Sequence, residues 1–200
     1  MAILKVAQMG HPVLRRVAEE VPPEVIPTEA FQQFCDDLLD TMIEYEGAGL
    51  AAPQVHESVR VCVLTLDDER EPEFFVNPQI TVLSDETMRY YEGCLSVTDL
   101  RGAVERPSHI KVEALDRYGT TKAYELRGFS AIVVQRECDH LDGVLFIDKV
   151  DTLTLAFLSE YRRFGPLDRF VDGDLEDGEE WDDEGLDADS TAEELSLIHI

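Results

Sequence analysis

The chain has 200 residues, 44% of them hydrophobic, which is enough for one packed domain plus an appendage and excludes a wholly disordered chain. Its 43 Asp and Glu against 17 Lys and Arg give a formal charge of −26. That argues against direct nucleic acid or an anionic membrane as partner, since each is held by a basic footprint. No apolar run approaches a membrane span, and the start from Met1 to Pro12 lacks a charged segment followed by an apolar stretch and a small-residue cleavage site, so a cytoplasmic protein is expected. Cys35, Cys62, Cys94 and Cys138 form no C-x-x-C pair and read as reduced thiols.

In chain order, Thr28 is an N-cap for a helix running to about Glu46. Phe31, Phe34, Cys35, Leu38, Leu39, Met42 and Ile43 form one apolar stripe on it, which makes Cys35 a packing residue. The β-branched run 59–66 predicts a strand, and 73–82 predicts a second, broken by Asn77-Pro78. Residues 110–115 alternate cleanly, 116–119 make a turn, and 121–126 return as a hairpin partner. A second helix is expected over 130–141, with Gly143 just past its end. Phe129, Ile132, Val133, Arg136 and His140 share one face by the 3.6-residue period. A third helix is expected over 152–164, ended by Gly165-Pro166. Residues 165–200 then hold 14 acidic side chains against Arg169 alone. The stretch 172–194 therefore reads as disordered, and the chain divides into a domain over 1–166 and an acidic tail over 167–200. Helix, then strands, then helices indicates an α+β domain.

Three distant segments could carry chemistry. GAGLAAPQ (47–54) is small enough for close backbone approach and ends in the amide of Gln54; alone it reads equally as a helix-stopping loop. EGCLS (92–96) places Cys94 beside a glycine, as a ligand, a nucleophile or a small buried residue. QRECDHLDG (135–143) puts Glu137 and His140 at i, i+3, a common pair in ordinary helices. A histidine in place of Arg136 would complete the H-E-x-x-H pattern of zinc-binding helices.

Together these segments resemble peptide deformylase, whose members carry G-x-G-L-A-A-x-Q, E-G-C-x-S and Q-H-E-x-x-H-L-x-G in that order. The likeness runs from Ile3 and the opening 10–15 through 144–148. It implies a peptide-deformylase-like α+β fold, with mixed or antiparallel strands around a central motif-bearing helix. It also implies hydrolysis of the N-formyl group from formylmethionine on nascent polypeptides, a step of N-terminal methionine processing in protein biosynthesis; a monomer is expected, its oligomeric state not being written in the sequence. In the family one divalent metal, Fe2+ or Zn2+, is held by a cysteine and two histidines with water in the fourth position. Carried over, Cys94 and His140 match two ligands and Glu137 the general acid/base, while Gln54 and the Leu95 N–H match the donors to the formyl oxygen. Ala48, Gly49, Tyr90, Phe129, Ile132 and Val133 match the substrate pocket; packing in the core is the alternative for the helix residues. Arg101 and Arg106 also match, the latter as a structural partner of Glu92.

The departure is Arg136, where the family has its first helix histidine. A guanidinium has no lone pair to donate, and Cys138, about 200° around the helix from Arg136, faces elsewhere. Four readings answer to this. The first is a deformylase of reduced turnover with a substitute ligand such as Glu137, His11, His56 or water. The second is a metal-free peptide-binding pseudoenzyme in which Arg136 pairs with the Cys94 thiolate. The third is a cysteine hydrolase using Cys94, His140 and Gln54. The fourth is a one-residue change in an otherwise intact enzyme.

Overall fold

The computed structural model describes residues 2–66 and 71–167. In chain order these form α1 (Glu29–Glu44), β1 (Gly49–Ala51), β2 (Val61–Leu64), β3 (Glu73–Val82), β4 (Thr87–Cys94), β5 (Val97–Pro107), β6 (His109–Leu115), β7 (Thr121–Arg127), α2 (Phe129–Leu141), β8 (Ala156–Phe157) and α3 (Leu158–Phe164). One sheet has the order β1-β2-β3-β6-β7 and the other β4-β5-β8, all neighbours antiparallel. This is the α+β architecture expected, with α2 as its central motif-bearing helix.

The larger sheet is covered on both faces, which is why all four residues of β2 are buried. Side chains alternate along a strand, so Val61 and Val63 pack with Phe31, Cys35, Leu38 and Met42 of α1, while Cys62 and Leu64 pack with Ala131, Val134, Cys138 and Leu141 of α2. Cys35 and Cys138 are packing residues in these two layers.

The helix ends follow local chemistry. The Thr28 hydroxyl accepts the Phe31 N–H, capping α1. At the end of α2 the Gly143 N–H reaches the His140 carbonyl and the Val144 N–H the Asp139 carbonyl, with Gly143 at φ 73°. A Cβ on Gly143 would lie 2.9 Å from the Arg15 backbone, so the position needs glycine on two counts. β3 runs through Asn77-Pro78 where a break was expected, with a register shift between Val76 and Gln79. Asn77, at φ 52°, exchanges two hydrogen bonds of 2.9 Å with the Val21 backbone, so the interruption becomes a bulge.

One expectation is overturned and one element is new. The segment 152–164 is not one helix: Thr152–Thr154 is a 3-10 turn, Ala156–Phe157 pairs with β5 and only Leu158–Phe164 is α-helical. The Ala103 N–H donates to Thr154 Oγ1, and the Asp151 N–H donates to the Ala103 carbonyl, so pairing with β5 overrides local helix preference. The β4–β5 hairpin carries no apolar alternation and was not foreseen. The acidic tail assigned to 167–200 falls, beyond Leu167, outside the described residues.

Candidate active site

Three elements bring the motif segments together. The β4–β5 hairpin turns through Leu95-Ser96, with Cys94 opposite Val97, and this tight turn sends the Ser96 N–H to Cys94 Sγ at 3.3 Å. β1 leads into a 3-10 turn, Ala52–Val55, that carries Gln54. There the Ala51 N–H donates to Gln54 Oε1 at 2.8 Å, which fixes the amide so that Nε2 faces Cys94 Sγ at 3.6 Å and Ser96 Oγ at 3.4 Å. From α2, His140 Nε2 lies 3.2 Å from Cys94 Sγ. Gln54, Cys94, Glu137 and His140 are all at most 6% exposed.

Burial alone would push the Cys94 thiol up, but the adjacent His140 charge and hydrogen bond and the Ser96 N–H bring it below its ordinary value. Burial likewise opposes the His140 charge, and the Cys94 thiolate outweighs it, raising His140. Each group thus shifts the other toward its charged form.

Arg136, 4% exposed, does not reach for the thiolate as one reading expected. Its Nε and Nη2 donate to Glu137 Oε1 at 3.1 and 2.8 Å. Glu137 Oε2 and His140 Nδ1 are buried without a hydrogen-bond partner. Glu137 owes its place to Gly49, where a Cβ would sit 2.8 Å from the Glu137 Cγ and Oε1 atoms; the glycine clears space for the carboxylate. The substitute ligands His11 and His56 are exposed and pack edge-on against each other at 4.6 Å, so neither joins the buried cluster.

The pocket residues divide. Ile132 shares the α2 face of Arg136 and His140, and Tyr90 and Phe129 pack ring to ring at 5.5 Å. Ala48 gives its carbonyl to Thr65, and Leu95 packs toward the α1 layer. Val133 belongs to the core between α2 and the larger sheet. Around the site, Arg106 holds Glu92 through Nε–Oε1 at 2.5 Å and Nη2–Oε2 at 2.9 Å and reaches Asp139 at 2.7 Å, the structural pairing expected for it. Arg101 lies over Gly93, where a Cβ would meet its guanidinium at 2.0 Å. Ser96 and the Ala51 N–H orient the site without having been assigned a role in it. Ser96 stood in the EGCLS motif as the available signal; the backbone donor left none.

A fold with a buried thiol, imidazole, carboxylate and amide donor at one point defines a hydrolase-type site. A family profile described as Polypeptide deformylase matches residues 3–156. The peptide deformylase of Stutzerimonas stutzeri is 43% identical over 156 residues, covering 76% of this chain and 90% of its own, and that of Pseudomonas aeruginosa is 42% identical over 154. A class I type b peptide deformylase from Acinetobacter baumannii superposes with a TM-score of 0.72 at 37% identity over 75% of this chain and 100% of its own. The chain belongs to the peptide deformylase family, a family of metal-dependent hydrolases.

Against that membership, the donor set falls short. A catalytic zinc or iron site takes three protein donors and keeps one position open. Cys94 and His140 supply two, Arg136 supplies none, and no group of three His, Cys, Asp or Glu able to hold a metal occurs among the described residues. The residues present do not fit the family's metal.

Proposed function

We propose that this protein removes the formyl group from N-formylmethionyl peptides, at a turnover well below that of a deformylase with a full ligand set. The observation that supports this reading is the convergence of Gln54, Cys94, Glu137 and His140, from three distant segments, into one buried cluster. A peptide deformylase from Acinetobacter baumannii has been solved with Met-Ala-Ser bound. For this chain the corresponding substrates are nascent chains in the cytoplasm, met by a monomer.

On this reading the Gln54 amide and the Leu95 N–H donate to the formyl oxygen, and Gln54 is preset because its own oxygen is held by Ala51. Glu137 takes a proton from the attacking water as the C–O bond forms. It returns that proton to the departing amine as the C–N bond breaks, releasing formate. Arg136 holds one oxygen of that carboxylate with two N–H donors, so only Oε2 is left to meet the attacking water, which lowers turnover. Iron or zinc, the metals the resemblance implies, would find only two donors, and no step above uses one.

A second reading, the metal-free peptide-binding module, is favoured by the pairing of Arg136 with Glu137 and of Cys94 with His140, which sets a donor or cation beside each anionic group. Formate release from formyl-Met-Ala-Ser, with and without chelator, separates these. Slow, chelator-resistant turnover lost in Glu137→Gln supports the proposal. Peptide binding without turnover supports the module. Turnover that survives Glu137→Gln but is lost on alkylation of Cys94 indicates the cysteine route, and fast turnover abolished by chelator overturns all three.

A further inference from the structure

We propose that Arg136 is a built-in replacement for the metal's charge, so that the site is electrostatically complete without an ion, and that this one side chain is all that separates it from a three-donor metal centre. The inference concerns the same site as the proposed function but does not depend on turnover.

Glu137 is 1% exposed, and a carboxylate so deeply buried is tolerated only beside a compensating cation. In this chain the cation is covalently part of the protein: the Arg136 guanidinium grips Glu137 Oε1 with two N–H donors. The rest of the centre is already in place. Ile132, Arg136 and His140 succeed one another a turn apart on one buried face of α2, so an imidazole at 136 would project on the same side as His140. Cys94 Sγ already stands 3.2 Å from His140 Nε2, its position fixed by the Ser96 N–H. Ion pair and metal centre are therefore alternatives at residue 136, since a side chain there either donates to Glu137 or offers an ion a lone pair.

The test uses cobalt(II) as a spectroscopic probe and needs no substrate. The unaltered protein, Arg136→His and Arg136→Gln are titrated with cobalt(II) and followed by absorption and elemental analysis. The unaltered protein is expected to show no thiolate-to-cobalt band at one equivalent and a melting temperature indifferent to chelator. Arg136→His is expected to bind one ion per chain, at least about 100-fold more tightly than the unaltered protein, with a thiolate band that Cys94→Ala removes. Its melting temperature should rise with cobalt. Arg136→Gln is expected to lose stability without recovering it from the ion. One equivalent of cobalt bound through thiolate in the unaltered protein overturns the proposal, and that arm is readable even if a variant does not fold. A folded Arg136→His without the band overturns it equally. Failure of the functional reading would appear separately, as no formate release from a protein that still behaves as described with cobalt.

Discussion

At residue 136 the chemistry of one side chain decides what its neighbour Glu137 is held by. A histidine there would give a lone pair; the arginine gives only donors, and the structure places them on Glu137. Gln54 is independent of that change, because its orientation comes from Ala51. Gln54→Ala should therefore lower kcat on formyl-Met-Ala-Ser by about 100-fold, in the range measured for loss of one oxyanion donor, with a smaller effect on KM. Steady-state kinetics on the folded variant check this; an unchanged kcat would remove Gln54 from the reaction. Only the resemblance that the three motifs carry in order grouped Gln54, Cys94, Glu137 and His140 as one candidate site, since each segment alone also read as loop, packing or ordinary helix. Nothing local marked which partner Arg136 chooses, since Glu137 and Cys94 both offered a negative charge.

Among the elements, β4 and β5 were the least legible and matter most to the site. Their strands carry Glu92, Arg101, Glu105 and Arg106, which break the apolar alternation that betrays a strand. Glu92 and Arg106 are nevertheless buried, 2% exposed each, because they answer each other across the hairpin. Arg106→Ala should cost about 3–5 kcal/mol by leaving Glu92 buried and unpaired, whereas the double change with Glu92→Leu should recover much of it. Urea unfolding measures both, and an additive double mutant would show that the pair does not act as a unit. The α2 terminus invites a similar test. Gly143→Ala forces a side chain into the left-handed region and against the Arg15 backbone, and should cost at least about 1–2 kcal/mol in the same assay. By contrast α1 and α2 were read within two residues at each end, because caps and the 3.6-residue stripe are local signals.

For the molecule as a whole, the buried thiols set a limit at high pH. Burial pushes Cys35 and Cys138 up to about 12, and Cys62 is raised well above its ordinary value for the same reason. Thiols of the unfolded chain ionise near 9.0, so the folded state holds protons that the unfolded state has lost. Stability from these groups is thus full below pH 9 and declines as pH rises from there toward 12. Thermal unfolding across that window should show the fall, and replacing Cys62 by Ala should reduce its slope. The acidic tail is expected to add nothing to folding. The three apolar clusters of the described residues reach no further along the chain than Val150, and deleting 172–200 should leave the melting temperature unchanged.

The amino-acid sequence by itself determined the family, the α+β class and the two long helices, because motif order, caps and the helical stripe survive without coordinates, and the resemblance then named the candidate site residues. Tertiary structure alone decided that 152–164 gives up helix to pair with β5, that Glu92 and Arg106 are buried together, and that Arg136 turns to Glu137 and leaves Cys94 to His140. The physical reason is common to all three. A buried polar group must find a partner, and which one it finds depends on distances between segments far apart in the chain.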